Sequence, residues 1–527
     1  MIEKNFVKQI LTIMLMLAMT IGSSAQQVTD TSDAQAEPLI RVRGCRVGTP
    51  NPLFKPRRAQ SLRSTVSPYI GNRRQLVVLA SFQDQDFMED HEATLQKWNK
   101  IFNAENYTEN SFVGSVHDYF MAQSYGKFNL MFDLIFVELP DNLQKYHSTE
   151  EHDENSQYMV DDIVDVLQTQ GIDWSIYDWD GDAFVDQLLI IYAGRGMNET
   201  NTPKTIWPHQ WWLSQHLLNW TEDENTYRSY RTVMHDDKEY YVDCYCCVQE
   251  FIETASISTF GTICHEYTHC FGFPDFYYGY GNRVVGYWDL MDYGNYNGYG
   301  YRPCGYSAHE RMLMGWLAPV ELNSTTTITQ MPALVDEPVA YLIRNDGAEN
   351  EYYIVENRQQ KGWDEDLPGS GIIVCHIEYD KDIWCSTTVS PNSSRRKRYQ
   401  IFPANNNFNV SASSEWVYPY VLQDRLGNKS VANDSLTNTS VPAATLLNPN
   451  TDGQRLMSKP ITSMAVDANG MASFVFMDGT EMSVHDVSLN PEQEHNAATS
   501  IYDLQGRRLS KPMKGLYIRD GKLYFVK

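Results

Sequence analysis

Apolar and polar positions along the chain change their period several times, and each change marks an element. "QLVVLASF" (75–82) is a continuous apolar, β-rich run of the kind needed by a strand buried on both faces. In "GSVHDYFMAQSYGKF" the spacing turns helical, with Ser115 placed to cap the helix, Asp118 in its first turn and Gly126 beyond its end. "FNLMFDLIFVELP" reads as a strand again. "QYMVDDIVDVLQ" (157–168) is amphipathic, with Met159, Val160, Ile163, Val166 and Leu167 on one face. "VDQLLIIYAGRG" predicts another strand, entered from an acidic loop, and a further helix is expected near 257–271. This alternation predicts an α/β (α+β) domain built on a mixed sheet. From 322 onward short runs such as "AYLIRN", "EYYIVENR" and "GIIVCHIEY" predict a β-rich lobe, and "GLYIRDGKLYFVK" a small β tail.

The two ends change the picture of where such a chain works. Lys4 and Lys8 precede an apolar run from Ile10 to Ile21, and small residues follow at Ser23 and Ala25, the pattern of a secretory signal over 1–25. Residues 26–74 lack a period and read as a pro-segment or linker, with "KPRR" (55–58) and "GNRR" (71–74) as exposed basic cleavage sites. The remainder divides into a catalytic domain over 75–321, a β-rich lobe over 322–480 and a tail over 481–527. No later segment is apolar for long enough to span a membrane. A net charge of −25 argues against nucleic acid or an anionic membrane surface as partner. A monomer that is secreted or held at the cell surface is expected. Nine cysteines (45, 244, 246, 247, 264, 270, 304, 375 and 385) are compatible with disulfides in an oxidising compartment, with Cys45 far from the rest.

Candidate chemistry concentrates in "HEYTHCFGFPDFYY" (265–278). Histidines four apart on a helix lie roughly 40° apart on one face, so His265 and His269 can share one Zn²⁺. Glu266 projects beside that metal and can take a proton from a water the metal has acidified. Gly272 permits the left-handed conformation that ends a helix, and Pro274 forbids its continuation. The chain must turn back, bringing Asp275 to the metal side as an oxygen ligand; Glu310 in "SAHERMLMGW" is the rival for that place. Written as HExxHxxGxxD, the motif resembles that of the metzincin metalloproteases, with aspartate for their third histidine. "YWDLMDYG" resembles the Met-turn of the same proteases, which would place Met291 beneath the ligands and Tyr293 near the metal. Packing of an aromatic loop is the alternative for Tyr293. Between Tyr277 and Tyr306 stand nine tyrosines and seven glycines, suited to a cleft floor or to ring packing.

Seven segments in one order, among them "GSVHDYFMAQSYGKFNL", "YDWDGDAFVDQLLIIYAGRG", "TIWPHQW", "GTICHEYTHCFGFPDFY" and "GYWDLMDYG", resemble the immune inhibitor A family of secreted bacterial metalloproteases. The resemblance implies a zinc-dependent endopeptidase acting on proteins and peptides, often calcium-stabilised and made as a zymogen. The tail is similar to type IX sorting tails of Bacteroidetes, though shorter. "YDWDGDAFVD" matches a calcium-type position of the family: Asp178, Asp180, Asp182 and Asp186 recur at alternate positions, and either a Ca²⁺ loop or a solvated acidic turn accounts for them. Cys45, in "VRGCRVGTPNP", loosely resembles the cysteine switch of matrix metalloproteinases. As a thiolate it could fill the open metal position of a precursor; a disulfide or an idle thiol is the alternative. The basic loop 393–400 is expected to be solvated. A metal-stabilised adhesin is the competing function, but three ligands leave a position open, whereas a structural zinc is closed by four. Glu266 would also serve no structural purpose.

Overall fold

The computed structural model describes residues 69–147, 155–200, 202, 204–220, 225–252, 258–279, 281–384 and 390–478, with short strands between 501 and 526. The expected signal segment, Cys45, Cys385 and most of the tail lie outside the described residues.

The central sheet contains β1 (Gly71–Ser81), β2 (Phe128–Glu138), β3 (Leu188–Arg195), β4 (His209–Trp212) and β5 (Cys244–Phe251), in the order β2-β1-β3-β5-β4. Four of the strands run parallel, while β4 pairs antiparallel with β5 and forms one edge. Parallel strands covered on both faces must be apolar throughout, which is why Leu76–Ala80 and Leu188–Tyr192 are all buried. Helices α1 (His91–Asn103), α2 (Val116–Gln123), α3 (Ser156–Gln168), α4 (Phe260–His269) and α5 (Ala308–Leu313) complete this part. Ser115 and Asp118 form the predicted capping box of α2, and Gly126 takes φ +75° just beyond its end. On α3 the buried face includes Val164 rather than Val166, because the stripe follows the helix around its axis.

Three expectations need revision. First, β1 begins at Gly71, so the basic "GNRR" segment, though largely exposed, is paired strand and not part of a segment without regular structure. Gly71 to Arg74 are in register with Phe128 to Met131 of β2, and Arg74 Nε donates to Asp133 Oδ2 at 2.7 Å. Tyr69 is fully buried just before it, its hydroxyl donating to Phe271 O and its carbonyl accepting from Trp316 Nε1 at 2.8 Å.

Second, residues 321 and 322 do not separate two cores. The β-rich lobe holds one sheet of β6 (Val320–Glu321), β8 (Tyr341–Asn345), β9 (Ala348–Arg358), β10 (Gly371–Glu378) and β11 (Tyr399–Ile401), and a second of β7 (Thr326–Met331), β12 (Ile461–Val466) and β13 (Ala472–Phe476). Strands β9 and β10 alternate: Tyr352, Ile354, Ile373 and Cys375 join the core of the central sheet, while Tyr353, Val355, Ile372 and Val374 face the second core. Third, the basic loop is anchored. Arg396 Nε donates to Glu378 Oε2 at 2.7 Å, and Arg398 pairs with the same carboxylate at 3.3 Å. Burial would raise the Glu378 pKa, but the hydrogen bonds from Arg396 outweigh it and hold the group below its usual value.

Among the buried charges, Arg358 binds the two parts together. Its guanidinium donates to Asp364 Oδ2 at 2.8 Å and Oδ1 at 2.9 Å, to Glu356 Oε1 at 3.2 Å and to Gly305 O at 3.0 Å. Removing one partner of such a network leaves the others charged and desolvated. Arg358→Leu is therefore expected to cost about 3–5 kcal/mol in urea unfolding, and the pair Arg358→Leu/Asp364→Leu less than the sum of the single changes.

Candidate metal centre

Helix α4 carries His265, Glu266 and His269, and every residue in it is buried. It ends where the sequence requires: Gly272 takes φ +93° and its N–H bonds His269 O at 2.8 Å. Pro274 follows, and the chain returns with Asp275 against both imidazoles. Asp275 Oδ1 is 3.1 Å from His265 Nε2 and 3.4 Å from His269 Nε2. Ligand atoms of these three residues all lie within 4.8 Å of one another.

The other ring nitrogens are fixed by backbone. His265 Nδ1 is 2.8 Å from Leu290 O and His269 Nδ1 is 2.7 Å from Phe273 O. A carbonyl can only accept, so each Nδ1 carries the proton and each neutral ring turns its Nε2 lone pair toward Asp275. Two lone pairs and a carboxylate oxygen repel unless positive charge lies among them. In the protein alone that charge would be protons: burial lowers both histidine pKa values, but the Asp275 carboxylate outweighs it and raises them. Asp275 itself is held well below the carboxylate range, burial being overcome by His269 and His265. Two imidazole nitrogens and one carboxylate oxygen, each imidazole oriented by a carbonyl, fit the donor set of a zinc ion with an open position.

Glu266 is pushed up to about 8, first by burial and then by Asp275, against the lowering effects of His265 and a hydrogen bond from the Gln210 backbone N–H. A bound divalent cation would bring that value down. Gln210 lies on β4, so the sheet edge and the glutamate meet in one place. The stretch "TIWPHQW" thus contributes a backbone group rather than a side chain.

Met291 is fully buried, its N–H donating to Asp289 Oδ1 and its carbonyl accepting from Phe276 N, both at 2.8 Å. Leu290 and Met291 therefore support His265 and the strand leaving Asp275. Tyr277, two residues beyond Asp275, feels that carboxylate: burial raises its pKa and the Asp275 charge raises it further. Tyr293 stands one ring further out, edge-on to Tyr277 at 6.0 Å. The place of Tyr277 two residues after Asp275 in "PDFYY" is the signal in the sequence that sets it apart from the other tyrosines of this region. Glu310 is not at the centre. It closes a capping box at the start of α5, its Oε2 accepting from Ser307 N at 2.7 Å.

The acidic loop gathers only part of the expected set. Carboxylate oxygens of Asp178, Asp180 and Asp182 lie within 4.8 Å of one another, whereas Asp186 accepts the Trp179 N–H. Asp178 is raised by burial and further by Asp182 and Asp180, although N–H groups of Ala183 and Gly181 oppose the rise.

A mixed sheet with one antiparallel edge, a buried helix bearing HExxH and a carboxylate returned to it bring together donors that could hold one metal ion. Residues 78–315 match the family model described as "Immune inhibitor A peptidase M6, catalytic domain". The match takes in most of the central sheet, the five helices named above and the residues of the metal centre, and it supports a metallopeptidase. No curated protein matches the chain. Among the described residues no helix is long and apolar enough to cross a membrane.

Proposed function

We propose that the protein is a secreted zinc endopeptidase that cleaves extended segments of polypeptides, with His265, His269 and Asp275 as zinc ligands and Glu266 as general base. The observation that carries this reading is the convergence of two carbonyl-fixed imidazoles and one carboxylate beside a buried glutamate. Zinc bound there supplies a Lewis acid that polarises a carbonyl and acidifies water. Glu266 takes the proton from the attacking water and can return it to the leaving amine. The Gln210 N–H points away from the partner strand β5 toward Glu266, so the outer edge of β4 faces the reacting groups. An extended peptide added to that edge would be aligned by backbone hydrogen bonds. Met291 underlies the ligands, and Tyr293 supports Tyr277 by ring packing.

Glu266→Ala is expected to retain one zinc per chain by elemental analysis while losing peptide hydrolysis by at least about 100-fold. His269→Ala should lose the zinc as well. Full activity of the Glu266→Ala protein would exclude the mechanism; failure of the zinc-loaded wild type to cleave any peptide would favour the adhesin reading instead.

Calcium at Asp178, Asp180 and Asp182 is proposed as a stabilising site, since a cation would relieve the mutual repulsion that raises Asp178. Added Ca²⁺ should raise the Tm of the wild type but not of Asp178→Asn; an equal rise in both would exclude this loop.

Export by the N-terminal signal, with sorting through the type IX-like tail, and synthesis as a zymogen complete the proposal. Cys45 is assigned the latency role, its thiolate taking the open metal position. A Cys45→Ser precursor should hydrolyse peptides without further cleavage; one as latent as wild type would exclude the thiolate switch.

A further inference from the structure

Beside the metal centre lies a cavity of about 530 Å³ bounded by Arg283, Tyr296 and Asn297 on one side and by Asp366 and Ser411 on the other. Two links tie it to the reacting groups. Tyr296 lines it and lies within electrostatic reach of Glu266 and Asp275. Tyr277, two residues beyond Asp275 in the chain, packs edge-on against Tyr293, and the Arg283 guanidinium lies over that same Tyr293 ring at 3.9 Å.

Arg283 is held in an unusual way for a surface arginine. It stacks on Tyr293 and reaches the Tyr287 ring at 5.3 Å, so its plane is fixed by two aromatic faces. Among the described residues its N–H groups make neither a hydrogen bond nor an ion pair. Asp292 is the carboxylate that feels its charge; its Oδ2 accepts from the N–H groups of Val284, Val285 and Gly286 at 2.8, 2.8 and 2.7 Å, and its Oδ1 is buried and makes no hydrogen bond to Arg283. The other charged group in the lining, Asp366, is paired with Arg302 at 2.8 Å. The cavity therefore presents one oriented guanidinium whose N–H groups make no hydrogen bond or ion pair among the described residues, in a wall of tyrosine, asparagine and serine.

We propose that this cavity is the substrate-selecting subsite and that it takes an acidic side chain, Asp or Glu, of the cleaved polypeptide on the donor edge of Arg283. A planar fork already immobilised by stacking loses little freedom when it binds a carboxylate, and the paired hydrogen bonds discriminate against the uncharged amide of the same shape. The inference rests on the endopeptidase reading and names the substrate class for it.

The test is a set of peptides differing only by Glu, Gln or Lys at each position around one cleaved bond, with kcat/KM measured for the zinc-loaded protein. At one fixed position Glu is expected to exceed Gln by about tenfold, a typical worth of a partly exposed charge-assisted contact. Arg283→Gln should bring that ratio to about one. Arg283→Glu should invert the preference toward Lys, and Arg283→Lys, which keeps charge but not the fork, should retain only part of it. Thermal unfolding of each variant verifies its fold. Hydrolysis with no Glu preference at any position, or with a Lys preference in the wild type, would overturn the subsite and leave the endopeptidase standing. Binding of the same peptides to zinc-loaded Glu266→Ala, read by fluorescence anisotropy, separates the other case. Tighter binding of the Glu peptide without hydrolysis by wild type would retain the subsite and overturn the endopeptidase.

Discussion

Three Lewis-basic atoms directed at one point are an electrostatic liability, and much of the surrounding architecture holds them there. Asp275 Oδ1 lies 3.1 and 3.4 Å from two imidazole nitrogens whose lone pairs face it. Left to relax, either ring could rotate or the aspartate withdraw toward water. The backbone carbonyls of Leu290 and Phe273 prevent rotation by claiming the Nδ1 protons. The positive φ of Gly272 prevents withdrawal, because it fixes how sharply the chain returns after α4. The repulsion between fixed donors is what a cation relieves, and it gives metal affinity without induced fit.

The β-rich lobe takes part in the same restraint. Tyr399 on β11 donates to Asp289 Oδ2 at 2.9 Å, and Asp289 Oδ1 accepts the Met291 N–H at 2.8 Å. Leu290, between those two residues, supplies the carbonyl that orients His265. Phe276 packs on Tyr399 with ring centroids 4.6 Å apart, and its carbonyl accepts from Asn392 Nδ2. The segments that position the ligands are thus bound from behind by the second lobe. Burial raises the pKa of Asp289, but hydrogen bonds from Met291 and Tyr399 oppose that rise and stabilise its carboxylate. A shared core across residue 321 serves the same purpose, since a hinge there would transmit movement to His265.

The cleft also has two sides of different character. Toward the sheet it offers the backbone of β4, which treats all extended peptides alike. Toward the tyrosine-rich loops it offers side chains. Several of the nine tyrosines serve packing: Tyr306 is buried with its hydroxyl bonded to Thr268, and Tyr293 is a platform for Arg283. Tyr277, two residues beyond Asp275, has its pKa raised by burial and further by that carboxylate. On the function proposed above, alignment from one wall and selection from the other would be a division of labour in which specificity changes need not disturb catalysis.

Local chemistry in the sequence determined the parts of this protein that depend on neighbouring residues. The helical spacing of His265 and His269, the stop at Gly272 and Pro274, the cap at Ser115 and Asp118 and the apolar run of β1 each follow from a few adjacent side chains, and each was legible. So was the return of Asp275, because the turn that brings it back is encoded within the motif. The tertiary structure decided what depends on distant segments. Glu310 satisfies a helix cap, and Asp186 takes a backbone N–H, because those donors are closer than the metal sites proposed for them. Residues 71–74 are strand because Phe128–Met131 lie alongside, and Arg396 is anchored because Glu378 is within reach. The choice of Tyr277 over Tyr293, and the orientation of Arg283, arise from ring packing among residues with equivalent local sequence. Periodicity and motif spacing report torsional preference and amphipathicity along the chain; they do not report which of several chemically equal groups long-range packing will bring to a site.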